Sequence, residues 1–499
     1  MGSLPRNSIS RIAIIGAGPS GISAAKYLLV EKVFEEIDIF EQRHEIGGVW
    51  NLTTNILSKR TPIPQLDPNY DVERQAFSEL KNGAAGDLAE KKGANRFETP
   101  LYDMLETNIP KQLMQYADRP FSDNLPLFPP HRNVLDYCKK YAEDVRPLIR
   151  FGCQVSEVRA AGGSSQDGVQ SCHWSVTMID EATPSRKTHE YDAVVVASGH
   201  FSVPYIPAIK GIEAWSSSYR GSVIHSKAYR NPDLFANKRV IVVGNSASGV
   251  DIGAQIGKVC KQPLLQSSRT ENLFFSPESV PWKEDIPEIV EFLDPDHHHR
   301  SVRLADGRVE PDIDAVVFAT GYFYSFPFLK IDPPVITDGL RTRDVYQQLF
   351  HIKYPTLAFP VLPQRIIPFP MAENQAAVIA RVWAGRLSLP SEREMRAWEK
   401  GLLEDRGDGK AMHILNFPED ADYLNMLYDW AASATPRQGL GNDGKGLMGT
   451  RWDEKQRWMR SQFPAIKKEY AERGEDRFSV RTIEELGFDL EKWKDRQEE

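Results

Sequence analysis

Two glycine-rich turns contain the residues whose types and spacing point most directly to chemistry. The first is Gly16-Ala-Gly-Pro-Ser-Gly21, and Glu41 follows twenty residues after its last glycine. In such a turn the first glycine permits the tight bend, the second lets the backbone approach a pyrophosphate, and the third lets helix and strand pack closely. A carboxylate at the position of Glu41 accepts hydrogen bonds from ribose hydroxyls and repels a 2′-phosphate. This turn therefore suits FAD or NAD rather than NADP.

The second turn, Gly244-Asn-Ser-Ala-Ser-Gly249, keeps the outer glycines but has Ser246 at the middle position. The turn can therefore form, but we expect Ser246 to hinder slightly the closest approach of the backbone to a pyrophosphate. Arg269 stands twenty residues after the last glycine, where the first turn has its acid. A guanidinium there favours a 2′-phosphate, and Ser268 and Thr270 add hydroxyl donors, so this turn suits NADPH. Two sites of opposite preference indicate that one holds a flavin and the other delivers hydride to it.

Each turn lies between a predicted strand and a predicted helix. The β-branched run Arg11–Ile15 precedes the first turn, a helix over 22–32 follows it, and a strand over 37–40 ends at Glu41. Around the second turn the corresponding elements are a strand over 238–243, a helix over about 250–258 and a strand over 264–267. Both patterns are the start of a βαβ unit.

Two similar apolar strands, over 191–199 and 313–321, enclose the second turn in the sequence. We therefore predict an α/β fold with two dinucleotide-binding Rossmann-like domains, the NADPH domain inserted in the FAD domain, and amphipathic helices at the C-terminus that pack on the outside of the first domain. Prolines in 204–207 and 323–327 mark the hinges. The predicted parts are 1–206 (FAD domain, with an insertion at 53–100), 207–322 (NADPH domain), 323–389 (FAD domain) and 390–499 (helical extension).

The composition narrows the class of protein. The 499 residues are 41% hydrophobic, and 61 basic against 69 acidic residues give a net charge of −8, which disfavours nucleic-acid binding. The four cysteines form no CxxC pair and none lies at metal-ligand spacing from a histidine, so no metal site is predicted. No apolar run is long enough to span a membrane. We expect a cytoplasmic protein without a membrane partner.

The segment Tyr219–Tyr229, YRGSVIHSKAY, resembles the fingerprint FxGxxxHxxx(F/Y) of the flavin-containing monooxygenases, in particular the soluble microbial type of class B. It matches at Gly221, His225 and Tyr229 and departs at Tyr219, a change from one aromatic residue to another. Baeyer–Villiger relatives end this fingerprint in Trp or Pro. The resemblance therefore points to oxygenation of nitrogen or sulfur.

Four other segments are similar to the same family. They are Gly47–Trp50 (GGVW), 102–114 (YDMLETNIPKQLM), 319–322 (ATGY) and 368–375 (PFPMAENQ). The resemblance covers about residues 9 to 385, with a gap in the 53–100 insertion.

The resemblance implies roles for individual residues. FAD would be held by Gly16, Gly18, Pro19, Ser20, Gly21, Glu41, Gln42, Gly48, Val49, Trp50, Val155 and Gln375. NADPH would be held by Gly244, Ser246, Ala247, Ser248, Gly249, Asp251, Ser268, Arg269 and Thr270. Thr107, Asn108 and Ile109 would lie where the two cofactors meet, with Asn108 as the catalytic residue. By residue type alone, an asparagine such as Asn108 more often serves as a turn or helix-cap residue.

The family resemblance also implies a reaction cycle. NADPH reduces FAD, NADP⁺ stays bound, O₂ adds at flavin C4a, and an amine nitrogen or sulfide sulfur attacks the distal oxygen of the hydroperoxide. The protein must exclude water and keep a hydrogen-bond donor near the peroxide, and Asn108 and the NADP⁺ ribose are the candidates for this donor. The partners are then O₂ and a small amine or sulfide, and a homodimer is a family expectation.

Three alternatives differ from this interpretation. A Baeyer–Villiger monooxygenase would act on ketones, and Tyr229 argues against it. A flavin disulfide reductase needs a redox cysteine pair, which the sequence lacks. A non-catalytic nucleotide-binding protein is favoured only by Ser246.

A histidine triplet and one single histidine could be mistaken for functional sites. The His297–His299 triplet is interpreted as a solvated loop or strand edge, because adjacent residues converge poorly on one metal ion. His225 is interpreted as a residue that organises a linker and not as a base.

Overall fold

A computed structural model describes residues 9–53, 61–70, 97–161, 173–180, 185–269 and 280–498. Thr270 and most of the predicted 53–100 insertion lie outside these residues. The chain divides into two compact units. The first unit comprises Met1–Asn51, Glu106–Gly199 and Phe326–Glu499, and the second comprises Leu52–Leu105 and His200–Ser325.

The first unit is built on a seven-stranded sheet. Its strand order is Val345–Tyr346, Phe350–His351, Leu357–Ala358, Ala193–Val196, Arg11–Ile15, Glu36–Glu41 and Ile149–Phe151. The last five strands are parallel, as expected for βαβ connections. A second sheet has the order Leu329–Lys330, Cys153–Ala161, His173–Asp180 and Arg186–Tyr191.

Eight α-helices of the first unit lie among its described residues. They are Pro19–Glu31, Lys111–Met114, His131–Tyr141, Pro368–Trp383, Glu392–Arg406, Glu419–Ala432, Glu454–Glu472 and, near the C-terminus, Leu490–Glu498. Helix Pro19–Glu31 packs with helix Pro368–Trp383. Both helices contain buried alanines, and Ala24, Ala25 and Ala380 are fully buried. Small side chains therefore contribute to the core that these two helices share.

The helical extension belongs to the first unit, as the sequence prediction of packing on the first domain implies. Its loop 435–449 is fixed to helix Pro19–Glu31 through Glu31, a 2% exposed carboxylate. Arg386 makes two hydrogen bonds to Glu31, at 2.9 and 2.6 Å, and Arg437 pairs with the same group at 3.1 Å. A buried carboxylate needs such partners, because an unpaired one would be strongly destabilising.

The second unit is built on a five-stranded parallel sheet. Its strand order is Lys283–Ile286, Leu264–Ser267, Val240–Val243, Ala315–Phe318 and Val223–His225. Smaller sheets join Ile289–Phe292, Val302–Leu304 and Val309–Glu310, and pair Val203–Pro204 with Tyr322–Phe323. Its helices are Ile212–Ser218 and Ala247–Gly257.

The element types agree with the sequence prediction, but several boundaries differ. The two nucleotide-turn helices begin at Pro19 and Ala247, three residues earlier than predicted, because the helix starts inside each glycine-rich turn. Pro19 fits this first helical position, where its missing N–H costs nothing. The second unit begins at His200 and ends at Ser325, against predicted limits of 207 and 322. It also includes residues 52–105, which the prediction had placed in the FAD domain.

Candidate functional site

The first turn follows the central strand of the first unit at its carboxyl end. Gly16 has a φ of +103°, and its N–H donates to the carbonyl of Phe40 at 2.8 Å. A Cβ atom on Gly21 would lie 2.0 Å from the carbonyl oxygen of Gly16, so only glycine fits there. The predicted close approach of helix and strand is present.

The second turn is built in the same way within the second unit. Gly244 has a φ of +108°, and its N–H donates to the carbonyl of Ser267 at 2.8 Å. A Cβ atom on Gly249 would lie 2.0 Å from the carbonyl oxygen of Gly244, as in the first turn. Two independent stretches of sequence therefore form turns of the same geometry.

The backbone conformation at the middle position of the two turns explains why a serine fits there. Gly18 has φ and ψ of −76° and 179°, and Ser246 has −83° and −176°. This is extended backbone, which any residue adopts, so Ser246 causes no backbone strain. Ser246 can therefore hinder the approach of a pyrophosphate only through the space that its exposed side chain occupies.

Both helix starts offer free N–H groups to an anion. Neither helix Pro19–Glu31 nor helix Ala247–Gly257 has a side-chain cap or an acidic residue in its first turn. Unsatisfied N–H groups and the helix dipole favour negative charge at such an end. The residues of both turns therefore fit a dinucleotide pyrophosphate.

Glu41 lies at the end of its strand and faces the first turn. It is 2% exposed, one carboxylate oxygen accepts from the N–H of Ala17 at 2.8 Å, and the other accepts from the N–H of Arg43 at 2.8 Å. Each carboxylate oxygen retains capacity for a further hydrogen bond. This placement fits the predicted contact of Glu41 with ribose hydroxyls.

The Gly47–Trp50 loop lies directly against the first turn. The N–H of Gly47 donates to the carbonyl of Ala17 at 3.0 Å, and a Cβ atom on Gly48 would lie 2.9 Å from the Cα of Gly18. Asn51, which the sequence reasoning missed, donates to the carbonyls of Ile46 and Gly48 at 3.0 and 3.2 Å and holds the loop. The structure thus brings together most of the residues predicted to hold FAD, namely Gly16, Gly18, Pro19, Ser20, Gly21, Glu41, Gln42, Gly48, Val49 and Trp50.

Val155 and Gln375 are placed differently from those residues. Val155 is buried in strand Cys153–Ala161. Gln375 is fully buried, its side-chain oxygen accepts from the N–H of Val361 at 2.7 Å, and its NH₂ donates to the Tyr423 hydroxyl at 3.1 Å. The contact of these two residues with FAD stays a prediction.

Arg269 carries the predicted preference for a 2′-phosphate, and the structure gives it a carboxylate partner. Its side chain is 77% exposed, and its Nε donates to an oxygen of Glu288 at 2.7 Å. Ser268 lies beside it, at the end of strand Leu264–Ser267. The sequence reasoning missed Glu288, because nothing in its local pattern indicates that partner.

The Arg269–Glu288 pair leads to a prediction about cofactor affinity. A bound 2′-phosphate and Glu288 would compete for the same guanidinium. Glu288→Gln should therefore lower the KM for NADPH by about threefold, because an exposed ion pair contributes up to about 1 kcal/mol. The KM for NADH should not change. Steady-state kinetics with both nucleotides checks this, and equal changes for both would show that Glu288 acts elsewhere.

Asp251, predicted to hold NADP, takes part in a network of side chains within the second unit. The Tyr102 hydroxyl donates to Asp251, Gln255 donates to the same carboxylate oxygen at 3.3 Å, and the Tyr229 hydroxyl donates to Gln255 at 2.9 Å. The network fixes helix Ala247–Gly257 to the segments that contain the two tyrosines. A role of Asp251 in binding NADP stays a prediction, and the fingerprint residue Tyr229 has a structural role.

His225 bonds through both ring nitrogens to backbone groups of the second unit. Its Nδ1 accepts from the N–H of Lys227 at 3.1 Å, and its Nε2 lies 3.0 Å from the carbonyl oxygen of Gly321. This geometry assigns the proton to Nε2 and leaves no free lone pair for a base. It supports the prediction that His225 organises the linker region. Among the described residues, no cluster of His, Cys, Asp or Glu side chains could hold a metal ion.

Asn108 lies on a well-anchored segment of the first unit. Thr107 is 3% exposed, its N–H donates to the carbonyl of Pro129 at 3.0 Å, and its hydroxyl donates to the carbonyl of Ile109 at 3.0 Å. The following helix has Pro110 as its N-cap. Asn108 therefore caps no helix, and its exposed amide makes no hydrogen bond within the part of the chain that the structure describes.

Glu373, inside the 368–375 segment, is a buried carboxyl group of the first unit. Burial raises the pKa of its carboxyl to about 7, although the Ala117 N–H and the Tyr141 hydroxyl each donate to it at 2.8 Å. The folded protein therefore holds a proton near neutral pH that the unfolded chain releases.

Glu373 should make the stability of the first unit depend on pH. Because its folded pKa of about 7 exceeds the ordinary value of 4.5, the free energy of unfolding should fall by up to about 3 kcal/mol as pH rises through this window. Glu373→Gln should remove this part of the slope. Thermal unfolding measured from about pH 5 to pH 8 checks this, and an unchanged slope in the variant would contradict it.

Comparisons with known proteins agree with an interpretation of the two glycine-rich turns as dinucleotide-binding. A family model described as flavin-binding monooxygenase-like matches residues 83–279 and 291–433, and a model of an NAD(P)-binding Rossmann-like domain matches residues 14–78. No helix among the described residues is long and apolar enough to cross a membrane.

Individual relatives match over most of their length. A thiol-specific monooxygenase of Saccharomyces cerevisiae is 33% identical, covering 87% of this chain and 88% of its own. The flavin-containing monooxygenase iboF of Amanita muscaria is 29% identical, covering 86% and 89%. The solved structure of S-allyl-L-cysteine S-oxygenase from Allium sativum has a TM-score of 0.71 at 26% identity, covering 95% and 96%. With its two matching Rossmann-like turns, the chain belongs to the flavin-binding monooxygenase-like family, enzymes that use FAD together with NAD(P)H.

Proposed function

We propose that this protein is an NADPH- and O₂-dependent monooxygenase that oxygenates a soft nucleophile, with the sulfur of a small sulfide or thiol as the favoured centre. The observation that carries the proposal is the pair of matching turns with opposite charges at their ribose positions, Glu41 and Arg269. The acid suits a cofactor without a 2′-phosphate and the guanidinium suits one with it. The relatives named for a thiol and for S-allyl-L-cysteine support sulfur as the oxidised atom.

The overall reaction fixes what the protein must accomplish. For a sulfide, NADPH, H⁺, O₂ and R–S–R′ give NADP⁺, H₂O and R–S(O)–R′. When bound, FAD supplies the activation of O₂ and NADPH supplies the two electrons. The side chains then have to bind both cofactors, exclude water and hold a hydrogen-bond donor at the reacting oxygen.

Residues of the first unit meet these demands. The first turn and Glu41 would hold the pyrophosphate and ribose of FAD. Trp50 and Ile109 are partly buried against the hydrophobic core and would help to exclude water. Asn108 supplies an amide N–H donor that has no partner among the described protein groups. No acid–base side chain is required for this scheme, because the nucleophile attacks without first losing a proton.

Residues of the second unit would hold NADPH. The turn at Gly244–Gly249 would bind its pyrophosphate and Arg269 its 2′-phosphate. The network from Tyr229 to Tyr102 keeps helix Ala247–Gly257, and thus the phosphate-binding turn, in place.

A competition among three substrates tests the proposal. The purified holoenzyme is given NADPH and equal concentrations of methyl p-tolyl sulfide, N,N-dimethylaniline and cyclohexanone, and the products are quantified. We expect the sulfoxide as the main product, with the amine oxide second. A lactone from the ketone as the main product would instead identify a Baeyer–Villiger enzyme, the alternative that Tyr229 argues against.

A further inference from the structure

The segment that presents Asn108 is held by residues almost at the other end of the chain. Arg477 lies in a short turn after helix Glu454–Glu472, and its Nη2 and Nε lie 2.7 and 3.2 Å from one oxygen of Glu106. The two side chains are only 19% and 16% exposed. A forked arginine–carboxylate pair in such partly dry surroundings is stronger than an ordinary surface ion pair.

Lys467 makes a second connection, one residue further along the same segment. Its Nζ donates to the carbonyl of Thr107 at 2.8 Å and lies 4.3 Å from the centre of the Phe128 ring. The carbonyl belongs to the peptide bond that joins Thr107 to Asn108. A charged donor on this carbonyl fixes the plane of that peptide, and with it the direction in which Asn108 leaves the backbone.

The backbone next to this segment is tied to the same part of the chain. The N–H of Leu127 donates to the carbonyl of Val480 at 2.9 Å, and the rings of Phe128 and Tyr470 lie 4.7 Å apart. Pro129, two residues after Leu127, accepts the hydrogen bond from the N–H of Thr107. Residues 127–129 thus lie between the Asn108 segment and residues 470–480.

Local structure restrains Asn108 through the hydrogen bond from the Thr107 hydroxyl to the carbonyl of Ile109, but it does not fix the whole segment. The Asn108 side chain makes no hydrogen bond with the described residues, and the residue lies in a bend outside any helix or strand. A donor that acts on a reacting oxygen must be held to a fraction of an ångström, which a free bend does not ensure.

We propose that the C-terminal helical extension is a positioning element for the oxygenation step, with Lys467 and Arg477 as the residues that hold the Glu106–Ile109 segment. This rests on the proposed function, in which Asn108 donates to the reacting oxygen. Loss of either residue should loosen the segment without disturbing the dinucleotide turns. NADPH and O₂ would still be consumed, but as NADPH, H⁺ and O₂ going to NADP⁺ and H₂O₂.

The test compares Arg477→Ala and Lys467→Met with Lys455→Met in the full-length holoenzyme. Lys455 lies on the same helix and pairs with Glu484 at 3.0 Å, away from the Asn108 segment. Hydrogen–deuterium exchange of a peptide spanning residues 105–112 should be about tenfold faster in the first two variants, as expected from losing about 1.4 kcal/mol of charged hydrogen bonding. It should be unchanged in Lys455→Met. FAD content should equal that of the wild type in all three.

The second readout is the fraction of consumed NADPH that appears as H₂O₂ in the presence of methyl p-tolyl sulfide. We expect it to rise about threefold in Arg477→Ala and Lys467→Met and to return toward the wild-type value in Arg477→Lys, which keeps the charge. Unchanged exchange in both variants, or an equal increase in Lys455→Met, would overturn the proposal. A wild-type protein that forms no sulfoxide or amine oxide contradicts the proposed function instead, and the exchange comparison still decides whether the extension holds this segment.

Discussion

Replacing Arg269 by alanine should raise the KM for NADPH by about 10- to 100-fold, the cost of losing a charged hydrogen bond to a phosphate. The KM for NADH, which has no 2′-phosphate, should stay within about twofold. The physical reason is the position of the guanidinium, twenty residues after Gly249 and exposed at the end of strand Leu264–Ser267. Steady-state kinetics with the two nucleotides at constant sulfide concentration measures the effect.

Arg303→Ala is the matched control for this prediction. Arg303 is an exposed arginine of the same unit, paired with Glu291 at 3.1 Å, and it has no place in the nucleotide turn. It should change neither KM. Arg269→Lys should fall between alanine and wild type, because a lysine keeps the charge but lacks the fork of donors. Equal losses with NADPH and NADH in Arg269→Ala would show that the residue does not read the 2′-phosphate.

Replacing Asn108 by serine should lower the amount of sulfoxide formed per NADPH consumed by about 10- to 100-fold, because a shorter hydroxyl replaces the amide N–H donor proposed to reach the reacting oxygen. H₂O₂ should account for the remaining NADPH. FAD content and thermal stability should not change, because the Asn108 side chain is exposed and makes no hydrogen bond with the described residues. Parallel assays of NADPH, sulfoxide and H₂O₂ give the result.

The variant Asn108→Asp separates the effect of losing the N–H donor from the effect of changing the size of the side chain. It keeps the size of asparagine but replaces the NH₂ donor by an acceptor. We expect it to lose coupling at least as severely as the serine variant. Sulfoxide yields at the wild-type level in Asn108→Asp would exclude a donor role for this residue.

The sequence was most informative where function depends on the backbone. Gly16, Gly21, Gly244 and Gly249 could be interpreted from spacing alone. A Cβ atom would lie 2.0 Å from a carbonyl oxygen at Gly21 and Gly249, and 2.6 Å from one at Gly16 and Gly244, so only glycine fits at these positions. The same spacing rule located Glu41, since a βαβ unit fixes where the second strand ends. The parallel strands of both central sheets, five in each, agree with the same βαβ pattern.

Long-range side-chain partners could not be predicted. Arg477 and Glu106 are 371 residues apart, and Tyr102 and Asp251 are 149 apart. Hydrophobic periodicity reports which face of an element is buried but does not report which distant charge meets it. For this reason the extension after residue 389 was predicted only as helices on the outside of the FAD domain, with no role toward Asn108.

Two residues show that a match to the family motif does not by itself establish a contact with the cofactor. Asp251 and Gln375 were assigned by resemblance, and both have protein partners in this structure. Their side chains hold a helix and a loop in place, which also preserves the geometry of a nearby site. Glu288 lies outside every motif that resembles the family, yet its carboxylate pairs with Arg269, the residue predicted to bind the 2′-phosphate.

The proposed monooxygenase transfers one atom of O₂ to sulfur using electrons from NADPH. The most direct test is to incubate the holoenzyme with NADPH and methyl p-tolyl sulfide under oxygen-18 gas and to analyse the product by mass spectrometry. We expect one labelled oxygen in the sulfoxide and one NADPH consumed for each sulfoxide formed, with far slower turnover when NADH replaces NADPH. Unlabelled sulfoxide, or consumption of NADPH with H₂O₂ as the only product across sulfides, thiols and amines, would contradict the proposed function.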